Sequence, residues 1–270
     1  MTNYICQTCG TQFTETTAPP ERCPICEDER QYVGWEGQRW TTLQDLRQGH
    51  RTVVKPLEPG LTGIGIEPVF AIGQRALLVQ TPKGNLLWDC VSLIDDAAVD
   101  AIRSAGGIAA IAISHPHYYA SMIEWSHVFN VPIYLHSADR QWVMRSDPAI
   151  HFWEGDTRSL FGGLTLVRCG GHFEGGTVLY WPQGAEGRGA LLTGDIIQVV
   201  FDRAWVSFMY SFPNYIPLSP RRVRRIVASI GGLTYDRIYG AWWERVVQRD
   251  AKQVVEKSAR RYIASINEEV

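Results

Sequence analysis

Four cysteines near the N-terminus constrain the fold more than any other feature of this sequence. They form two C-x-x-C pairs with thirteen residues between the pairs: Cys6, Cys9, Cys23 and Cys26. A C-x-x-C turn points both thiolates at one centre, and two such turns supply four sulfurs that close tetrahedrally around zinc or iron. We therefore predict a metal centre bound by all four cysteines. The alternative is two chance pairs of reduced thiols.

The cysteines belong to a short module, predicted over residues 1–36. Gly10 and Pro24 each follow a cysteine and fit tight turns. Fewer than about forty residues cannot build an adequate core, so the metal must hold this module together. We favour a structural metal, with electron transfer as the alternative, and four thiolates leave no open position for a substrate. The stretch resembles the rubredoxin-like knuckle of rubrerythrin-type proteins, and such a cage takes either zinc or iron.

Composition places the rest of the chain among ordinary globular proteins. The 270 residues carry a formal net charge of -2, which offers no general attraction to nucleic acid. The N-terminus lacks a basic segment followed by an apolar one, and no stretch approaches the roughly 20 apolar residues of a membrane span. We expect a cytoplasmic protein that acts on a small-molecule substrate, without nucleic-acid or membrane partners; the oligomeric state is open. Cys90 and Cys169 are expected to be buried free thiols.

The order of predicted elements gives the fold class. Short apolar strands with turns between them begin at residue 52, and later strands alternate with helices. This order predicts an α/β protein in which helices cover two sheets from outside, an αββα sandwich. We predict three segments: the cysteine module at 1–36, a connector at 37–51 and a larger domain at 52–270.

Three predicted strands end in residues that bind metals. "SHPH" supplies His115 and His117, "GGHFEGG" supplies His172, and "LLTGDII" supplies Asp195. Side chains at strand ends can converge on one edge of a sheet although they are far apart in the chain. Three imidazoles and a carboxylate suit zinc, iron or manganese. The sequence thus predicts a second metal centre.

These motifs resemble those of the metallo-β-lactamase superfamily, whose αββα fold matches the element order over roughly residues 52–265. The resemblance implies a metal-dependent hydrolase. Its pattern continues H-x-H-x-D-H, but this chain has Tyr119 and Ala120 at the last two positions, and Trp242 or Trp243 where a final histidine would fall. All of these belong to one half of the family's binuclear centre. We therefore expect a mononuclear site, although a Tyr119 phenolate could still ligate.

The predicted site residues have distinct roles. His115, His117 and His172 hold the ion, and Asp195 is either the fourth ligand or bonded to a metal-bound water. Glu174, two residues after His172, is the candidate general base or the hydrogen-bond partner of an imidazole.

Two other functions remain open. The persulfide dioxygenases of the same superfamily use one iron on two histidines and the aspartate, which correspond to His115, His172 and Asp195, so an iron oxidoreductase is the second hypothesis. A rubredoxin-like module also suggests the flavodiiron proteins, but their H-x-E-x-D pattern is absent. The third hypothesis is a non-catalytic metal-binding scaffold.

Overall fold

The computed structural model describes residues 1–268, which divide into two compact units. The first unit holds Met1–Leu135 and Asp139–Phe152, and the second holds His136–Ala138 and the chain from Trp153 onward. The division into a cysteine module, a connector and a larger domain, with boundaries after residues 36 and 51, stays a prediction from the sequence. Residues 269 and 270 of the predicted larger domain lie outside the described part of the chain.

A three-stranded antiparallel sheet opens the first unit. Its strands are β1 (Thr2–Cys6), β2 (Gln12–Thr16) and β3 (Trp40–Thr42), in the order β2-β1-β3. The first cysteine ends β1, and the short helix α1 (Pro24–Glu27) contains the fourth. Helix α2 (Leu43–Gly49) follows β3 directly. The sheet thus carries the cysteine module and continues into the predicted connector.

A seven-stranded sheet forms the rest of the first unit's β structure. Its strands are β4 (Arg51–Glu58), β5 (Leu61–Glu67), β6 (Ala76–Val79), β7 (Leu86–Trp88), β8 (Ala110–Ala112), β9 (Ile133–His136) and β10 (Ile150–Trp153), paired side by side in chain order. Strands β4 to β7 pair antiparallel as hairpins, whereas β8 runs parallel to both β7 and β9. All three residues of β8 are buried, as its unbroken apolar run predicts.

Two α-helices flank these strands in the chain: α3 (Asp96–Ser104) and α4 (Met122–Phe129). The Asp95 side chain caps α3 by accepting from the N–H of Ala98. The stretch SADRQWVMRS predicts a helix over residues 137–146, and this prediction is wrong, because only a 3₁₀ turn forms there, at Ser137–Trp142. Pro148, which has no N–H to donate to a helix, follows shortly after, and the carbonyl of Met144 accepts a hydrogen bond from the N–H of Thr14 in β2.

The second unit contains a six-stranded sheet and two small hairpins. The strands of the sheet are, in spatial order, β11 (Thr157–Ser159), β12 (Thr165–Arg168), β13 (Thr177–Trp181), β14 (Ala190–Gly194), β19 (Arg237–Gly240) and β20 (Val246–Val247). One hairpin consists of β15 (Gln198–Val199) and β16 (Val206–Ser207), and the other of β17 (Met209–Ser211) and β18 (Ile216–Pro217). Strand β14 runs parallel to β19, and the other pairs are antiparallel.

The helices of the second unit are α5 (Gly184–Gly187), α6 (Pro220–Gly231) and α7 (Ala251–Ile266). Ser219 caps α6 by accepting from a backbone N–H in its first turn, and Val223, Ile226 and Ile230 bury one side of the helix in the core. None of the helices within residues 1–268 combines the length and the apolar content that crossing a membrane requires.

Candidate metal centre

The four predicted cysteines come together in the structure. Their sulfur atoms all lie within 4.8 Å of one another, and all four side chains are buried. Sγ of Cys6 lies 3.5 Å from Sγ of Cys26, and Sγ of Cys9 lies 3.7 Å from Sγ of Cys23. Sulfurs bound at about 2.3 Å to one tetrahedral ion are separated by about 3.8 Å. The group therefore fits a single four-coordinate ion.

Tight turns shape this cysteine knuckle, by which we mean residues 6–26. The N–H of Gly10 donates to the carbonyl of Cys6 at 2.8 Å, and Gly10 has a φ of +80° that favours glycine. Hydrogen bonds from the thiols of Cys23, Cys26 and Cys9 lower the pKa of Cys6 well below its usual value. The same mutual hydrogen bonds raise the pKa of Cys9 and Cys26, so binding of a cation to all four sulfurs requires the loss of the remaining thiol protons.

The side chain of Gln38 also contacts the knuckle. Its Nε2 donates to Sγ of Cys6 at 3.2 Å. An amide donor stabilises negative charge on a sulfur and leaves the sulfur's remaining lone pairs for a metal. Cys90 and Cys169 stay apart as buried free thiols, as predicted, and burial raises the pKa of Cys169 to about 12.

The first two histidines lie in a turn that follows β8, here called the histidine turn (residues 114–121). His115 is extended, and a 3₁₀ turn over Pro116–Tyr118 then carries His117. The two imidazole centroids are 5.2 Å apart, and Nδ1 of His115 lies 3.0 Å from the Ser114 hydroxyl. The short turn keeps both rings near one point, which histidines at positions i and i+2 need in order to share an ion.

Asp89 holds the backbone of this turn. It follows β7, adopts a left-handed φ of +60°, and accepts at Oδ1 a hydrogen bond of 2.7 Å from the N–H of Ser114. The carboxylate is buried. Because Ser114 precedes His115, Asp89 fixes the point where the chain enters the histidine turn.

The third histidine is oriented by a backbone carbonyl. His172 lies in the loop between β12 and β13, and its Nδ1 is 3.2 Å from the carbonyl oxygen of Met209 in β17. A carbonyl oxygen only accepts, so Nδ1 carries the hydrogen and Nε2 keeps its lone pair for a metal. Gly171 allows this loop to approach α6, because a Cβ there would lie 2.7 Å from Cδ1 of Ile226.

Asp195 completes the second group. It directly follows β14, and its carboxylate oxygen and one nitrogen of each of His115, His117 and His172 all lie within 4.8 Å of one another. None of the four residues is more than 3% exposed. Three imidazoles and one carboxylate are a donor set that suits zinc, iron or manganese. The residues predicted from the sequence are thus brought together, and their chemistry fits a divalent ion.

Three positions at which the sequence departs from the H-x-H-x-D-H pattern and its final histidine hold poor metal donors: Tyr119, Ala120, and either Trp242 or Trp243. Tyr119 and Ala120 are buried in the histidine turn, and Trp242 and Trp243 follow β19. Burial, together with the carboxylate of Asp139, raises the pKa of Tyr119 well above its usual value, which disfavours a phenolate when no cation is bound. A methyl group, a neutral phenol and indole rings offer a metal little.

Glu174 does not belong to the group of four. Its side chain is 59% exposed, and Oε1 lies 3.3 Å from Nη2 of Arg222. The same guanidinium donates from Nη1 to the carbonyl of Gly171 at 3.4 Å. The ion pair therefore spans the loop that carries His172. The catalytic role predicted for Glu174 remains a prediction.

A sequence relative covers the whole chain. The uncharacterized protein YmaE of Bacillus subtilis (strain 168) is 50% identical over 272 residues, and the alignment covers 100% of this chain and 99% of YmaE. The chain belongs to the YmaE family. No family model matches the chain. Because the alignment runs the full length of the chain, it spans the cysteine knuckle as well as the segments that carry the histidines.

Solved structures with a similar fold are metallo-β-lactamases. DIM-1 metallo-β-lactamase has a TM-score of 0.59 at 11% identity, covering 80% of this chain and 98% of its own. VMB-1 has a TM-score of 0.58 at 14% identity, with 80% and 98% covered. The metallo-β-lactamase from Pontibacter korlensis has a TM-score of 0.56 at 13% identity, covering 78% of this chain and 99% of its own. At these identities the likeness shows the fold alone, and it confirms the predicted fold class for the YmaE-family chain.

Three residues that orient the donors were not predicted from the sequence. They are Ser114 beside His115, Gln38 on a cysteine sulfur, and Met209 behind His172. The position of Ser114 directly before the H-x-H motif is a signal from which it could have been predicted. Met209 acts through its main chain, so no side-chain pattern identifies it.

Proposed function

We propose that this protein is a metal-dependent hydrolase with one ion held by His115, His117, His172 and Asp195. The observation that carries the proposal is the convergence of these four buried donors within 4.8 Å of one another. The metallo-β-lactamase fold supports it, since the solved neighbours are named as metallo-β-lactamases. A divalent ion in such a group supplies Lewis acidity and activates water for attack on a substrate.

The residues of the chain hold and orient this ion. The hydrogen bond from Nδ1 of His172 to a carbonyl leaves Nε2 as the ligand atom, and Asp89 fixes the entry to the histidine turn. We assign Asp195 to the ligand set because its carboxylate oxygen lies among the three imidazoles, and the ion would then need a fifth coordination position for the water. Burial of all four donors excludes most water from the site, which strengthens charge interactions there.

We further propose that the centre is mononuclear. The superfamily's second ion needs donors at positions that Tyr119, Ala120 and a tryptophan occupy here. The side chains at these positions support this proposal, because a methyl group and indole rings are not metal donors and the Tyr119 ring is buried in the interior. The cysteine knuckle supplies a separate structural zinc or iron centre of the rubredoxin-like type.

Metal analysis with matched histidine variants tests the proposal. The wild-type chain is expected to bind two ions, one in each group, whereas His172→Ala should bind one and His127→Ala should still bind two. His127 is a suitable control because its Nε2 pairs with Asp147 on the surface, 52% exposed. Hydrolysis of a chromogenic ester, a thioester and a phosphodiester is then measured. The proposal fails if His172→Ala hydrolyses as fast as wild type, or if wild type carries two ions in the His/Asp group.

An iron oxidoreductase is the second candidate. Within the group of four, His115, His172 and Asp195 make the two-histidine, one-carboxylate set that non-haem iron enzymes use. Iron rather than zinc in this group after aerobic purification, with oxygen consumption instead of hydrolysis, would favour it. A small-molecule substrate and a cytoplasmic location remain our proposals in either case.

A further inference from the structure

The cysteine knuckle contacts the histidine turn directly through the backbone. The N–H of Gln12, in the strand that leaves the knuckle's first turn, donates to the carbonyl oxygen of Ala120 at 3.0 Å. Both residues are buried, with 4% and 3% of their surfaces exposed. Ala120 lies three residues after His117. The two metal-binding segments of the first unit are therefore joined by a hydrogen bond between their main chains.

A chain of buried hydroxyls makes a second connection. The hydroxyl of Ser92 donates to the carbonyl of Gly10 at 2.7 Å, and the hydroxyl of Ser121 donates to the carbonyl of Ser92 at 2.8 Å. Ser92 and Ser121 are at most 1% exposed. Gly10 follows Cys9 in the knuckle, and Ser121 ends the histidine turn. Two hydrogen bonds in series thus link one metal-binding segment to the other.

The contact at Gly10 leaves no room for a side chain. A Cβ on Gly10 would lie 2.5 Å from Oγ of Ser92 and 3.1 Å from Cβ of Ala71. The φ of +80° at Gly10 is set by the same turn that brings Cys6 and Cys9 together. The fit therefore depends on the folded shape of the knuckle.

A third anchor holds the residues just beyond the histidine turn. Nη1 of Arg145 donates to Oε1 of Gln12 at 2.5 Å and to Oε1 of Glu124 at 2.6 Å, while Nε2 of Gln12 donates to the same Glu124 oxygen at 3.2 Å. Glu124 belongs to the first turn of α4. The knuckle thus contacts both the turn that bears the histidines and the helix that follows it.

The backbone of the histidine turn needs such support. Ala120 has a φ of +45°, a left-handed conformation that residues other than glycine adopt only when their surroundings impose it. The hydrogen bond from Gln12 falls on this residue's own carbonyl. Release of the bond would let the turn relax, and the turn sets the separation of the His115 and His117 rings.

The knuckle in turn depends on its metal. Its core consists of the four cysteines with Phe13 and Ile25, against which three partly buried side chains pack. So small a core cannot hold its shape without an ion on the sulfurs. An ion there keeps Gly10 and Gln12 in contact with the histidine turn.

We propose that the cysteine knuckle is a positioning module for the histidine turn, so that an ion on the four cysteines raises the metal affinity of the group that contains His115 and His117. Linkage is reciprocal, so the histidine-bound ion raises the affinity of the knuckle by the same factor. The inference rests on metal binding in the proposed site but not on hydrolysis.

Cobalt titration of the full-length chain tests the coupling. Metal-free protein takes up Co²⁺ with thiolate charge-transfer bands that report the knuckle, and ligand-field bands report the His/Asp group. Affinity of the His/Asp group is measured in wild type, in Ser92→Ala and in Ser126→Ala. The last is a matched control, because the Ser126 hydroxyl is equally buried and donates to the carbonyl of Val131, away from the knuckle.

When the cysteine knuckle holds its ion, we expect Ser92→Ala to lower the Co²⁺ affinity of the His/Asp group about tenfold, equivalent to about 1.4 kcal/mol. Ser126→Ala should lower that affinity by less than about twofold. The double variant Cys23→Ser, Cys26→Ser cannot hold an ion in the knuckle. It should lower the Co²⁺ affinity of the His/Asp group at least as much as Ser92→Ala does. Adding Ser92→Ala to that variant should then cost little more, a result that a merely structural serine would not produce.

Equal affinity in wild type, Ser92→Ala and Ser126→Ala overturns the inference. If the cysteine variant does not fold, the comparison of the two serine variants still decides. Coupled binding without any hydrolysis contradicts only the proposed function, and uncoupled binding with hydrolysis contradicts only this inference. Absence of Co²⁺ from the His/Asp group in wild type contradicts both.

Discussion

Arg145→Ala should destabilise the protein strongly, because this guanidinium holds two partly buried acceptors from one nitrogen. Nη1 lies 2.5 Å from Oε1 of Gln12 and 2.6 Å from Oε1 of Glu124. The side chains of Arg145 and Glu124 are 16% and 27% exposed, and Gln12 is 4% exposed. Water therefore cannot freely replace the lost donor.

The magnitude follows from these exposures. A hydrogen bond to a charged group contributes about 1.5–3 kcal/mol. We assign the bond to Gln12 a free energy near the middle of this range, because the Gln12 oxygen stays buried after the substitution. The bond to Glu124 receives a value below the range, because its carboxylate partly regains contact with water. The free energy of unfolding should fall by about 3 kcal/mol. Glu124→Ala combined with Arg145→Ala should show a coupling energy of about 1 kcal/mol.

Urea unfolding of the metal-loaded chain, followed by circular dichroism, measures both quantities. Arg221→Ala is the control, since Arg221 is exposed at the start of α6, and it should change the stability by less than about 0.5 kcal/mol. A loss below about 1 kcal/mol for Arg145→Ala, or an additive double variant, would refute the reasoning that this arginine joins the knuckle strand to α4.

Three more predictions concern residues outside this anchor. Burial alone would raise the pKa of Asp95, but the hydrogen bonds from Thr52 outweigh burial, so the pKa is lowered. The contribution of Asp95 to the free energy of unfolding is therefore complete above its unfolded-state pKa of about 3.9, and it is lost as the pH falls through the folded-state pKa. Asp95→Ala should thus cost about 1–2 kcal/mol in urea unfolding at pH 7 and much less at pH 2, and equal losses would contradict this. Gly189→Ala should lower the free energy of unfolding by about 3 kcal/mol or more, because its Cβ would lie 2.1 Å from a backbone carbonyl oxygen, whereas Gly187→Ala, with a similar φ but open space, should cost about 1 kcal/mol. Similar losses in the two variants would rule out the steric account. Gln38→Ala should reduce the metal affinity of the cysteine group about tenfold in a chelator competition, and an unchanged affinity would show that its hydrogen bond to sulfur is unimportant.

Residue type and spacing were enough to predict both groups of donors. The C-x-x-C pairs predicted the four sulfurs, and the strand-end motifs predicted one group of four donors, which are His115, His117, His172 and Asp195. Helix α3 was predictable for a similar reason, since its cap and apolar spacing are local.

Features that depend on distant backbone groups could not be predicted. Trp40–Thr42 lies in the predicted connector but pairs with β1, and the carbonyl of Met144 accepts a hydrogen bond from the N–H of Thr14 in β2. The sequence predicts that the last helix starts at residue 247, but Asp250 adopts a left-handed φ of +56° and the helix begins four residues later, at Ala251. No periodicity in the sequence encodes these long-range choices.

The carbonyl behind His172 has a consequence for how the protein can vary. Since the main chain of Met209 makes the contact, any amino acid at position 209 supplies the same acceptor. Evolution can therefore alter the thioether without disturbing the tautomer of the neighbouring ring. What it cannot alter without penalty is the path of the β17 hairpin, so insertions or deletions between residues 206 and 218 should be rarer among relatives than substitutions at 209.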